Sequence, residues 1–304
     1  MSQYETDNSW DALLSPGKSS SYFRTEDLPQ LKSPGPYCPA TAWWLAELSR
    51  LIYRQDSDEN GANADGPTRR KFLQGIGAEE TAFISQGGTQ CALVKLPDMA
   101  TGPIHILVFR GTHDLRDWLS NLNALPVDWP EGGKVHRGFV EALDQVWESI
   151  VVALKEAVRD SGSILFAGHS LGGALAILAA ARRPPSSLYT YGAPRVGDTA
   201  FGLTLQQVPF HRVVNDCDLV PSLPPTLGSM RFEHTGQLHT LAPDGNRQAN
   251  PVGDPAERAT SGGLKGFLED LTERRWNEAP KPLADHAPIN YVARLDRLRL
   301  EGQS

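Results

Sequence analysis

The run GHSLGG at 168–173 constrains this chain more than any other feature. A short apolar run at 164–167 precedes it, and an apolar, Ala-rich segment at 174–181 follows. The pattern reads as a strand, a sharp turn and a helix, with Ser170 at the apex. Such a turn holds its apical residue in a strained backbone conformation. Its flanking positions have to lack Cβ so that strand and helix can pass closely. The Ser170 hydroxyl is then lifted above the N-terminus of the helix, where free backbone N–H groups and the helix dipole favour a developing negative charge. A Gly-rich turn that only packs is the competing reading of the same residues.

The rest of the chain alternates the two periodicities. Trp43, Trp44, Leu48, Leu51 and Ile52 recur at helical spacing after Pro39, and 139–158 reads as a long amphipathic helix. Strands are expected at 81–85 and 89–96 around Gly87 and Gly88, at 104–109, at 188–191 and at 212–214, with further β structure over 231–241. Terminal helices are expected at 263–276 and 289–300, and polar surface loops at 55–67 and 243–263. Strands alternating with helices predict an α/β class with a mostly parallel central sheet covered on both faces. Reactive groups in such sheets gather at the carboxyl ends of the strands. Residues 1–36, rich in Ser, Pro, Asp and Gln, read as a flexible N-terminal arm, and 37–304 as a single domain.

Composition removes several function classes. A net charge of −7 with no basic block argues against nucleic acid as a partner. No apolar run reaches the length of a membrane span, since the longest is broken by His169, Ser170 and three glycines. Cys38, Cys91 and Cys217 are scattered, with no metal spacing and no disulfide framework, so no metal or cofactor is expected and the thiols read as reduced. The polar, acidic first twenty residues lack the pattern of a secretory signal. The default expectation is therefore cytoplasmic, with leaderless secretion left open. The TRRKFL run at 68–73 reads as the basic start of a helix rather than an export signal, because no apolar segment follows it.

A serine hydroxyl is a weak nucleophile at neutral pH and needs a base, which in turn needs an orienting carboxylate. In hydrolases built on a strand–elbow–helix the order along the chain is Ser, then Asp or Glu, then His. Only His234, His239 and His286 follow a suitable acid. The first two fall in an alternating, strand-like segment and read as structural, while His286 hangs in a loop before the last helix. The loop after the 212–214 strand offers both Asp216 and Asp218 as the acid, and spacing does not choose between them. Donors for an oxyanion are expected from the Leu171 backbone and from Thr112, which follows Gly111 at the end of the 104–109 strand.

Six runs taken together resemble the fungal-type (class 3) triacylglycerol lipase family: VFRGT at 108–112, DW at 117–118, VHRGF at 135–139, GHSLGGA at 168–174, YGAPRVGD at 191–198 and NDCDLVPSLPP at 215–225. The resemblance extends from about residue 40 to 293. It implies an α/β-hydrolase fold and a triad of Ser170, Asp218 and His286. The acid is Asp218 because that residue stands two before the Val-Pro step of the family's D-x-V-P motif. The resemblance also implies Thr112 and Leu171 as the oxyanion hole, and His136 and His169 as structural supports. The expected activity is hydrolysis of acylglycerol esters through an acyl-enzyme. A feruloyl-type or short-chain carboxylesterase, or an inactive lipase-like binding protein, are the alternatives. The partner expected is a lipid or other carboxylic ester, with transient contact at a lipid interface. Residues 113–122 match the family's lid, with Leu115, Trp118, Leu119 and Leu122 at helical spacing. Asn121 stands where relatives often carry an acidic residue that fixes the oxyanion hydroxyl, which implies a weaker bond to Thr112.

Overall fold

The computed structural model describes residues 2–24, 28–31, 35–54, 67–96, 102–112, 125–159, 162–225, 231–242, 247–248 and 278–301. The expected lid at 113–122 and the expected helix at 263–276 lie outside these residues, as do 55–66 and 249–263 of the two expected loops.

An eight-stranded sheet forms the centre, in the order β1 (Glu79–Gln86), β2 (Thr89–Lys95), β3 (Ile104–Phe109), β6 (Ser163–His169), β7 (Ser187–Tyr191), β8 (Phe210–Asn215), β9 (Gln237–Leu241) and β10 (Arg247–Gln248). Strands β3, β6, β7, β8 and β9 are mutually parallel. The two strands at one edge and β10 at the other are antiparallel. A small antiparallel pair, β4 (Pro126–Asp128) and β5 (Lys134–His136), stands apart from the sheet.

The pleat distributes alternate residues to two apolar layers. Ile106 and Val108 of β3 join one layer with Trp43, Leu45 and Leu48 of the helix Pro39–Leu51, and with Val292 and Leu295 of the last helix, Pro288–Glu301. Leu107 and Phe109 join the other, with Phe139, Leu143, Val146, Ile150 and Leu154 of the helix Arg137–Arg159. Those last five recur every three or four residues, so one stripe of a long amphipathic helix meets the sheet. The helix Leu171–Arg182 is buried from Gly172 to Ala180, which explains its apolar composition on every face. Thr68 caps the short helix Arg69–Gly75 by accepting from the Lys71 N–H, as expected for the basic run.

The N-terminal segment departs from the loose arm expected of its composition. Tyr4, Leu13, Tyr22, Phe23 and Leu31 are buried, and a short helix, Trp10–Leu14, forms with Ser9 as its cap. The buried carboxylate of Glu47 receives the Tyr4 hydroxyl, the Phe23 N–H at 2.8 Å and the Arg50 guanidinium at 2.8 Å. Arg50 also bonds Ser19 Oγ at 2.9 Å and the Ser21 carbonyl at 2.7 Å. Burial and the Glu47 charge raise the Tyr4 hydroxyl well above its ordinary range, so it remains a donor. Polar composition concealed apolar anchors spaced too irregularly to show a period. Among the described residues, no helix is long and apolar enough to cross a membrane.

Candidate active site

The site lies where β3, β6 and β8 end. Ser170 follows β6 directly and has φ 59° and ψ −130°, the left-handed half of backbone space that residues with Cβ seldom occupy. The turn is held because the Ser170 N–H donates to the Tyr191 carbonyl at 2.9 Å and the Ser170 carbonyl accepts from Gly173 at 2.9 Å. A Cβ on Gly168 would run into the Gly172 carbonyl, and a Cβ on Gly172 into the Phe109 carbonyl at the end of β3. The glycines of the elbow are therefore dictated by backbone passing backbone.

Asp218 and His286 come together from loops far apart in sequence. His286 Nδ1 lies 2.8 Å from Asp218 Oδ2 and 3.0 Å from Oδ1. Asp218 Oδ1 also accepts the Val220 N–H at 2.9 Å. With its Nδ1 proton directed at the carboxylate, the imidazole presents Nε2 as a base. Ser170, Asp218 and His286 are each at most 2% exposed. Among the described residues, neither Ser170 Oγ nor His286 Nε2 has a hydrogen-bond partner. Nucleophile–base contacts are often long before substrate arrives. Asp216 is not drawn to the imidazole; its carboxylate lies 3.4 Å from the Cys217 sulfur.

Several supporting residues carried no signal in the sequence. Tyr291, five residues past His286, donates to Asp218 Oδ2 at 2.5 Å and accepts the Asn215 N–H at 3.2 Å. Burial and the adjacent Asp218 charge raise its hydroxyl pKa strongly, which keeps it a donor. Asp285 receives Lys281 and, at 2.6 Å, Arg294, and it also accepts the Cys217 N–H at 3.2 Å. The residue before His286 is thus tied to the residue before Asp218. Asn215 Nδ2 adds a bond to the Asp285 carbonyl at 2.7 Å.

Thr112 lies half-buried past the end of β3, and Leu171 opens the helix after the elbow. The Leu171 N–H is one of the helix-start groups that have no acceptor within the helix. His234 donates to the Pro221 carbonyl at 2.7 Å, and His239 sits in β9 at 3.2 Å from His211, both away from the triad. His136 stacks on Phe139 with ring centroids 4.1 Å apart. Cys38, Cys91 and Cys217 are free thiols. Among the described residues, no three metal-ligating side chains converge.

Residues 106–228 match the family model described as lipase (class 3). Over 150 residues the chain is 38% identical to a lipase of Rhizomucor miehei, covering 44% of this chain and 41% of that protein. Over 146 residues it is 39% identical to secreted mono- and diacylglycerol lipase 1 of Fusarium solani, covering 45% and 43%. Over these residues the chain is similar to the class 3 lipase family. It spans about two fifths of the length of the two curated relatives just described. Among solved structures, lipase II of Rhizopus niveus superposes with a TM-score of 0.56 at 26% identity, over 67% of this chain and 80% of that one. The fold is the α/β-hydrolase fold of these lipases. The family match ends at 228 and so covers Ser170 and Asp218 but not His286, whose place is fixed by its own contacts with Asp218.

Proposed function

We propose that this chain is a class 3 lipase, a serine carboxylester hydrolase acting on acylglycerol esters. The observation that supports it best is the strained, buried Ser170 at an elbow whose preceding residue, His169, has its ring 4.5 Å from the His286 imidazole that Asp218 aligns through Nδ1. Ser170 Oγ attacks the ester carbonyl while His286 Nε2 takes its proton. The tetrahedral oxyanion is held by the Leu171 backbone and by Thr112. Collapse breaks the acyl–oxygen bond, and the alcohol leaves with the proton from Nε2. Water then attacks the acyl-enzyme, again giving a proton to His286, and the acid departs as Ser170 recovers its own. The Asp218 carboxylate, placed by three donors, stabilises the imidazolium formed in each half-reaction.

The lid reading of 113–122 rests on its sequence alone. Leu115, Trp118, Leu119 and Leu122 would supply contact with a lipid interface. His113, Asp114, Arg116 and Asp117 in the same segment favour the second reading, an esterase for short or feruloyl-type acids. A fluorophosphonate is expected to label Ser170, and Ser170→Ala is expected to lose turnover to the roughly 10³–10⁴-fold residual over water that binding and an oxyanion hole leave. An unlabelled serine, or wild-type rates in the alanine variant, would exclude the reading. A series of p-nitrophenyl and glycerol esters of rising chain length separates lipase from esterase, since rates that fall steadily beyond short acids belong to the esterase.

A further inference from the structure

The elbow places a second imidazole, His169, immediately before Ser170, and the triad leaves it unused. His169 is buried between two partners. Its Nδ1 lies 3.0 Å from Tyr53 Oη and its Nε2 lies 2.7 Å from the His286 carbonyl oxygen. The two imidazole rings are 4.5 Å apart at their centroids. Burial, reinforced by neighbouring His286, holds the His169 pKa well below its ordinary value, so the ring is neutral and carries one proton. A carbonyl can only accept, which puts that proton on Nε2. Nδ1 is then an acceptor, and the Tyr53 hydroxyl has to donate to it.

Burial raises the Tyr53 hydroxyl above its ordinary pKa, which keeps it protonated, and its oxygen packs against the Gly111 backbone. Gly111 immediately precedes Thr112, and a Cβ there would run into Tyr53 Oη. The order is fixed: the Gly111 backbone packs on Tyr53 Oη, the Tyr53 O–H donates to His169, and the His169 N–H donates to the His286 carbonyl. One end of this chain is the loop that carries Thr112, and the other is the backbone of the base. Tyr53, two residues past the end of the helix Pro39–Leu51, and His169, the last residue of β6, are both buried.

We infer that Tyr53 and His169 are positioning residues, a buried relay that sets the oxyanion loop and the His286 backbone in register with each other. This rests on the serine-hydrolase reading above. Neither side chain touches the reacting atoms; each acts through the group it holds.

The test uses the whole chain with p-nitrophenyl esters and a fluorophosphonate. Tyr53→Phe keeps the ring and removes only the hydroxyl. It is expected to lower kcat about tenfold to hundredfold, the scale of a small misplacement of reacting groups, with KM changed less than about twofold. His169→Leu is expected to lose as much, and His169→Gln, which restores a donor near the position of Nε2, to recover most of it. The double variant Tyr53→Phe with His169→Leu should lose no more than the worse single, because members of one network do not add. Losses that multiply, a rise in KM at constant kcat, or no recovery in His169→Gln would overturn the relay. Should Tyr53→Phe not fold, the fluorophosphonate rates of His169→Gln and His169→Leu decide, equal rates overturning it. Wild-type protein that takes no label would instead overturn the serine-hydrolase reading, whereas labelled wild type with unchanged Tyr53→Phe rates overturns the relay alone.

Discussion

Tyr291 illustrates how a single hydroxyl supports a charged site. It donates to Asp218 and receives the Asn215 N–H, so its removal leaves a carboxylate oxygen and a buried amide each short of one bond. Hydrogen bonds to charged groups contribute about 1.5–3 kcal/mol. Tyr291→Phe is expected to cost stability of that order in denaturant melts and to lower kcat more than it raises KM. Stability and kcat both at wild-type values would refute this. At this scale the sequence was legible only where chemistry forces a residue type. Ser170 and His286 follow from the elbow and from chain order. Asp216 and Asp218 are indistinguishable along a flexible loop, and it took the family resemblance to choose, a choice that the contact of Asp218 with His286 matches. Tyr53 and Tyr291 were invisible because a supporting residue is defined by what it touches, and their partners lie far away in the chain.

Among the elements, the strand–elbow–helix unit is the least tolerant of change. The helix Leu171–Arg182 passes the end of β3 so closely that Gly172 faces the Phe109 carbonyl. Gly172→Ala is therefore expected to destabilise the protein by about 1–3 kcal/mol, the usual cost of overpacking, although alanine is the better helix former. A thermal midpoint at or above wild type would show that the helix can retreat. Strand and helix periods were readable because each element meets the core along one face: the Phe139-to-Leu154 stripe predicted a helix that runs two residues earlier and one later than expected, Arg137–Arg159. The β structure expected over 231–241 narrows to Gln237–Leu241, because the preceding residues make only an isolated bridge between Glu233 and Gly197.

Across the whole molecule, buried imidazoles give stability a dependence on acid. Burial lowers the pKa of His136 from 6.5 to about 4, and it lowers those of His169 and His234 further in the same direction. Above pH 6.5 these rings are neutral both folded and unfolded, so they contribute no slope. As pH falls toward 4 the unfolded chain gains protons that the folded one refuses, and stability declines. The urea midpoint is expected to drop through that window, and His136→Phe, which keeps a ring against Phe139, should flatten part of the slope. Parallel curves for the two proteins would refute it. Removing residues 2–24 exposes Trp43, Trp44 and the Glu47–Arg50 pair that the segment covers. The truncated chain is expected to be insoluble or to melt far below wild type; an unchanged melt would mean the segment is dispensable. Composition misjudged this segment because a few anchors, rather than the average polarity, decide whether a chain stays down.

The beginning of the chain is fastened to its far end. Ser2 Oγ donates to Asp296 at 2.6 Å, the Asp7 N–H donates to Asn290 at 2.7 Å, and the Ala279 N–H donates to the Asn8 carbonyl at 2.9 Å. These three contacts join residues synthesised early to residues synthesised late, so none can form until the 279–296 stretch has been made. His286, the base of the proposed chemistry, lies in that same late stretch, so the contacts that hold the two segments together and the proposed site are completed in one step of synthesis.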